Sequence, residues 1–188
     1  MKIMLIDKDN PIPAGYKPLL EKIENGYYME KRAAHCLRAL LAAARKDGII
    51  IEIFSSYRTY DYQKQLFDGG IQSNLDKGLS YEEAYDKTAN STAPPGKSEH
   101  NAGLAADLKG EDWDNDNWQK FEDTKAFKWL TENAHRFGFI LRYPKEKSHI
   151  TKYIYEPWHY RYVGCPHAEI MTRKGLTLEE YLKLCNCI

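Results

Sequence analysis

The sequence predicts an α+β domain, with a small, mostly antiparallel sheet and helices packed around it. Three observations predict this. Strand-like and helix-like segments are mixed along the chain without the regular strand–helix–strand alternation that builds a parallel sheet. The strand candidates are short, rich in β-branched and aromatic residues, and punctuated by Gly and Pro. The length, 188 residues, fits one domain able to bury a real core.

Residues 1–28 are predicted to be an irregular arm. Pro11, Pro13, Gly15, Pro18 and Gly26 interrupt it, while Leu19, Leu20, Ile23, Tyr27 and Tyr28 paste it onto the body. Glu30–Lys46 is an amphipathic helix with Ala33, Leu37, Leu40, Leu41 and Ala44 on one face, ended by Gly48. Ile49–Phe54 is a buried strand that delivers Tyr57 and Arg58 at its end. Asp61–Lys77 and Ser80–Thr88 are helices split at Gly78, the second opened by a capping box of Ser80 and Glu83. Ala89–Lys97 is a loop, and LAADL after Gly103 is a short buried strand. Gly110–Asn117 is an acidic loop, and Ala126–Phe137 a helix. Phe139–Arg142, Tyr153–Tyr155 and Trp158–Val163 are strands, with a turn around Pro144–Lys147. His167–Arg173 and Leu178–Leu184 are short helices.

Composition excludes several classes. Lys and Arg (27) balance Asp and Glu (27), so no nucleic acid or other polyanion is implied as a partner. No apolar run approaches the roughly 20 residues of a membrane span. The N-terminus lacks the apolar core of a signal peptide, so a cytoplasmic location is expected if Met1 is the natural start; otherwise a secreted or surface enzyme has lost its leader. The four cysteines show no zinc-ribbon spacing. Cys36 falls within a helix as a small core residue, and reduced thiols are the default expectation.

Two stretches carry chemistry. Ser98–Asp107, SEHNAGLAAD, offers His100 and Asp107 spaced H-x6-D, and Glu156–His159, EPWH, offers a carboxylate and an imidazole spaced E-x2-H. Two imidazoles and one carboxylate form a three-ligand zinc set with a position left open, as in catalytic rather than structural zinc sites. A carboxylate in place of a third histidine tempers the Lewis acidity of the metal. Glu156 is then left over as a general base. On a plain strand Glu156 and His159 would face opposite ways, so Pro157 must re-aim one of them. His35, His135, His149 and His167 lack a matching carboxylate context. Asp112, Asp114 and Asp116 mimic the start of a calcium loop, but Asn117 stands where glycine is needed, so a solvated loop is expected.

The blocks S-x-H-x2-G-x-A-x-D and E-P-W-H-x-R-Y-V-G resemble the zinc D-alanyl-D-alanine carboxypeptidases of the VanY and VanXY type, within the LAS metallopeptidases. Ser55-Ser56-Tyr57-Arg58-Thr59 with Gln63 is similar to the family's S-G-Y-R-S-x3-Q, with Ser56 in place of a glycine and Thr59 in place of a serine. Asp9–Pro13 and Phe137–Pro144 also look familial.

The resemblance implies a catalytic domain over residues 29–188. Zn2+ would be held by His100, Asp107 and His159, with Glu156 as general base. Arg58 would meet either a terminal carboxylate or a developing oxyanion. Gln63, Ser98 and Tyr143 match peptide-contacting positions. The implied substrate is a peptidoglycan stem peptide or the dipeptide D-Ala-D-Ala. The activity would be D,D-carboxypeptidase, with D,D-dipeptidase action as a further option, serving precursor trimming and glycopeptide resistance. Two rivals use the same site: an L,D-carboxypeptidase and a phage-type endopeptidase. A third is a non-catalytic peptidoglycan-binding module, against which the intact Glu156 argues.

Overall fold

The computed structural model describes residues 3–113 and 118–186. Calcium-loop positions Asp114, Asp116 and Asn117, and Cys187 among the four cysteines, lie outside the described residues. The arm is not wholly irregular: β1 (Leu20–Lys22) pairs antiparallel with β2 (Tyr28–Glu30) across a tight turn in which Asn25 adopts a left-handed φ of 56°. Met29, with Ile23 in the turn, joins this ribbon to the main core. Glu30 then caps α1 (Lys31–Lys46), its carboxylate accepting from the Arg32 and Ala33 amides. The helix buries Ala33, Leu37, Leu40, Leu41 and Ala44, as the periodicity predicts.

The main sheet has four strands, β3 (Ile51–Ser55), β4 (Ala105–Gly110), β5 (Phe139–Leu141) and β6 (His159–Tyr162), in the order β3-β4-β6-β5, every neighbour antiparallel. Around it lie α2 (Tyr60–Leu75), α3 (Tyr81–Ala89), α4 (Lys125–Asn133), α5 (Ser148–Thr151), α6 (Cys165–Lys174) and α7 (Leu178–Leu184). The Ser80–Glu83 capping box forms as predicted. The Ala126–Phe137 helix starts at Lys125 and tightens into a 3-10 turn over Ala134–Phe137.

Tyr153–Tyr155 is a correction, because it is not a strand. Its backbone bonds go to loops instead of a sheet neighbour: Ile154 N donates to Asn90 O at 3.1 Å, and Glu156 N to Tyr143 O at 3.1 Å. Aromatic side chains there pack individually and do not line up along a ladder, so alternation misleads. The region after Pro144 holds the short helix α5, which the sequence reading missed.

Alternation along the strands splits the sheet into two faces. Ala106, Leu108, Tyr160 and Tyr162 turn to the main core with Leu37, Leu40, Ile51, Ile53 and Leu130. Asp107, His159 and Arg161 turn the other way, and Asp107 and His159 are direct cross-strand partners. Both faces are buried, which is why LAADL reads as a continuous apolar run interrupted only by its aspartate. A second cluster joins α6 and α7 through Ile140, Val163, Met171, Leu178 and Leu182. A third fastens α2 to α3 through Phe67, Ile71 and Ala84.

Gly103 is the hinge between His100 and β4. Its φ is +68°, its carbonyl accepts from Glu30 N at 2.8 Å, and a Cβ there would stand 2.8 Å from that same nitrogen. Gly103→Ala therefore meets both backbone strain and a backbone clash. It is expected to cost on the order of 1–3 kcal/mol, read as a lowered denaturant midpoint at unchanged slope.

Candidate active site

Three elements converge on one point. The 3-10 turn Glu99–Ala102, capped by Ser98, supplies His100; β4 supplies Asp107; β6 supplies His159. The turn is stitched to the end of β3: Arg58 N donates to His100 O at 3.1 Å, and Asn101 Nδ2 to Arg58 O at 2.8 Å. Pro157 and Trp158 form a turn closed by His159 N on Glu156 O at 3.2 Å. The chain enters β6 only after that turn. Glu156 thereby escapes strand alternation and sits on the same side as His159, its Oε2 3.8 Å from His159 Nδ1.

One ligand atom from each of His100, Asp107 and His159 falls within 4.8 Å of the others, and all three residues are buried. His100 Nδ1 is 2.6 Å from Ser56 O, so that nitrogen carries the proton and donates. The lone pair is left on Nε2, 3.3 Å from Asp107 Oδ2. Asp107 Oδ1 is 3.0 Å from His159 Nδ1. Two imidazole nitrogens and a carboxylate oxygen converging from three rigid elements fit a metal ion with N and O ligands and leave one side open to the cavity. Among the described residues this is the one such His, Cys, Asp and Glu grouping, and His35, His135, His149 and His167 lie outside it.

The electrostatics follow from burial and charge pairing. Burial works to raise Asp107, but His100, His159 and Arg58 overcome it and hold the carboxyl well below the usual range. Burial and the Arg58 charge push His100 down. Burial opposes charge on His159 too, yet its hydrogen bonds to Asp107 and Glu99 carry it up to about 9. Glu156 has no bonded partner of that kind, and burial pushes it up to about 8.

Arg58 lines the cavity, with Nη2 on Asp107 Oδ2 at 2.8 Å and Nε on Ser55 Oγ at 2.9 Å. Ser98 lines it too, its hydroxyl accepting from His100 N at 3.3 Å. Tyr143 also lines the wall, with its ring 4.9 Å from the His159 ring centroid. Gln63 does not line it: the side chain is fully buried, with Nε2 on Ala93 O at 2.7 Å and Oε1 3.4 Å from Arg58 Nη1. It braces the wall behind Arg58.

The cavity holds about 610 Å3, within the roughly 300–1,000 Å3 usual for small-ligand sites. One wall is apolar, with Trp118, Trp158, Tyr153 and Ile154, and the Trp118 ring packs tilted against Phe54, centroids 4.7 Å apart, and edge-on to Trp158 at 5.3 Å. The sequence reading missed this wall and also Glu99. Glu99 is 2% exposed, and its Oε2 lies 3.2 Å from His159 Nε2. A glutamate between Ser98 and His100 carries no local signal, because its partners Arg142 and Arg161 come from far along the chain.

Comparison with known proteins agrees with this geometry. The profile of the VanY D-alanyl-D-alanine carboxypeptidase family matches residues 26–165. A D-alanyl-D-alanine carboxypeptidase of Enterococcus faecalis is 39% identical over 96% of this chain, which spans 65% of that protein's length. The crystal structure of a vancomycin resistance D,D-pentapeptidase VanY, solved in complex with Zn(II), superposes with a TM-score of 0.85 at 39% identity, covering 96% of this chain and 98% of that one. VanYB in complex with D-alanine-D-alanine superposes at 0.87 with 38% identity and 97% coverage of both chains.

Proposed function

This chain belongs to the VanY family of D-alanyl-D-alanine carboxypeptidases, and on that premise we propose that it is a zinc D,D-carboxypeptidase removing the terminal D-Ala from peptidoglycan precursors that end in D-Ala-D-Ala. The observation that carries the reading is the cross-strand pair Asp107–His159 with His100 beside it and the Glu156 carboxylate 3.8 Å from His159 at the same cavity. A peptide-binding module has no use for a second buried carboxylate beside the ligand cluster.

His100 through Nε2, Asp107, and His159 through Nδ1 would hold the zinc. Zinc held there supplies Lewis-acid polarisation of the scissile carbonyl and positive charge against the developing oxyanion. Glu156 takes a proton from the attacking water and returns it to the leaving D-Ala nitrogen. Arg58 is held through Nη2 to Asp107, Nε to Ser55 and Nη1 to Gln63, and lines the cavity, where the second hydrogen of a terminal nitrogen would meet substrate oxygen. Ser98 and Tyr143 shape the peptide's seat, and Trp118 and Trp158 give an apolar wall for the stem upstream of the scissile bond. No helix among the described residues is long and apolar enough to cross a membrane.

The test is a substrate panel followed by mass spectrometry: pentapeptide, tetrapeptide, free D-Ala-D-Ala and a D-lactate-ended analogue. The expected result is loss of one D-Ala from the pentapeptide as the fastest reaction. Faster loss of D-Ala from the tetrapeptide would replace this reading with an L,D-carboxypeptidase. Arg58→Lys supplies a second test. Lysine keeps the charge but not the planar fork. kcat is expected to fall by about 10²–10³-fold if the fork serves the transition state, with KM held. A rise in KM alone would assign Arg58 to the bound peptide, and no change in either would remove it from the site.

A further inference from the structure

A line of four buried side chains runs from the C-terminal helix to His159. Glu179, in the first turn of α7, accepts a two-pronged bond from Arg142, Nη2 to Oε1 at 2.7 Å and Nη1 to Oε2 at 3.1 Å. Arg142 turns its Nε to Glu99 Oε1 at 2.7 Å, and Arg161 Nη1 donates to the same oxygen at 2.6 Å. The other oxygen of Glu99, Oε2, faces His159 Nε2 at 3.2 Å. Arg161 is anchored in turn by Nη2 on Met4 O at 2.8 Å, in the N-terminal arm. Arg142 and Arg161 are 0% and 1% exposed and Glu179 6%, so this network excludes water.

Two guanidinium groups and two carboxylates balance within the cluster. Two cationic donors on a single oxygen of Glu99 hold that group as a carboxylate. An ionised carboxylate offers acceptors only, so the nitrogen of His159 that faces it carries the proton. In the metal-free chain Nδ1 faces a second ionised carboxylate, Asp107 Oδ1 at 3.0 Å; zinc held there would displace the Nδ1 proton, and the proton on Nε2 would stay with Glu99. His100 is oriented differently, by a neutral backbone carbonyl on its Nδ1. The two histidines thus present opposite nitrogens to one point.

We propose that Glu99 is a positioning residue for the metal site: it fixes the tautomer and ring orientation of His159 and raises the basicity of its Nδ1, while Arg142, Arg161 and Glu179 hold Glu99 in place and tie α7 and the N-terminal arm to the site. The proposal rests on the zinc reading above. A ligating histidine whose second nitrogen donates to a carboxylate is a better ligand than one left to water, and losing such a partner typically costs about 10–100-fold in metal affinity.

The test uses the full chain loaded with one equivalent of zinc. Long-range ¹H–¹⁵N spectra of the histidine rings should show His159 protonated at Nε2, with a downfield, slowly exchanging proton, and metal-shifted at Nδ1. A His159 that carries its proton on Nδ1, or whose Nε2 proton exchanges freely, overturns the proposal with no variant needed. Glu99→Gln keeps an acceptor oxygen but removes the charge. It is expected to raise the zinc dissociation constant, measured by chelator competition, about 10–100-fold, and to abolish the downfield proton. Glu179→Gln loosens Arg142 at the far end of the same network but leaves the Glu99–His159 contact, and should weaken zinc binding less than Glu99→Gln does, below the range for a lost outer partner. If both variants lower Tm and neither moves zinc affinity, the network serves folding alone and the proposal falls. Should Glu99→Gln not fold, the wild-type spectra decide. A wild-type chain that binds no zinc is a separate result, overturning the metal reading and this proposal with it.

Discussion

His159→Ala should empty the metal site. The wild-type chain is expected to hold one zinc per chain by elemental analysis after desalting, and the variant close to none. The reason is geometric. His159 contributes one of three ligand atoms that lie within 4.8 Å of each other, and its direct cross-strand partner Asp107 would lose the group that faces it at 3.0 Å. Losing an inner ligand should weaken binding beyond the 10–100-fold of an outer partner, thus by more than about 100-fold. Hydrolysis should fall with the metal. The His159 ring also packs on Tyr143, so folding is checked alongside by circular dichroism and Tm. A folded variant with full zinc occupancy would refute the ligand set.

Glu156→Gln should separate metal from chemistry. The amide has the shape of the carboxyl but cannot accept the proton of the attacking water. Zinc is expected to remain at one per chain, with kcat down by about 10²–10⁴-fold. The variant has a second signature in the metal-free protein. Burial raises the folded-state carboxyl from 4.5 to about 8. A folded-state value above the unfolded one means that the unfolded chain gives up this proton more readily. The group then detracts from stability as pH rises from about 4.5 toward 8, and contributes no such penalty below that window. The metal-free Gln variant should accordingly melt higher than metal-free wild type at pH 8 and level with it near pH 4. Near-normal turnover would move the base elsewhere, and equal melting at both pH values would show that Glu156 is not the buried carboxyl described here.

What could be read from the sequence follows from which interactions are local. The α1 face and the Ser80–Glu83 capping box are each set by residues close in sequence, and both are legible there. The convergence of His100, Asp107, His159 and Glu156 came partly from spacing and mainly from matching blocks. Spacing alone left Glu156 and His159 on opposite sides of a strand, because the turn at Pro157–Trp158 depends on a backbone bond that periodicity does not reveal. Tyr153–Tyr155 departs from the strand its alternation suggests because the Ile154 amide bonds to the distant Asn90 carbonyl and the Tyr153 amide to Thr151, not to a sheet neighbour. Gln63, matched to a peptide-contacting position, stands behind Arg58 with its amide bonded to Ala93 O and facing Arg58 Nη1. The Glu99–Arg142–Arg161–Glu179 cluster was invisible because its members stand up to 80 positions apart and each looks alone like a surface charge.

The central claim is that one metal at His100, Asp107 and His159, served by Glu156, releases D-Ala from a D-Ala-D-Ala end. Zinc titration of the chelator-stripped protein tests it most directly, with D-Ala release from the stem pentapeptide followed at each addition. The account predicts no release without metal, a linear rise, and a break at one zinc per chain, with Glu156→Gln binding the same equivalent and releasing almost nothing. Undiminished release from the stripped protein, or one zinc bound tightly with the pentapeptide left intact, would contradict it.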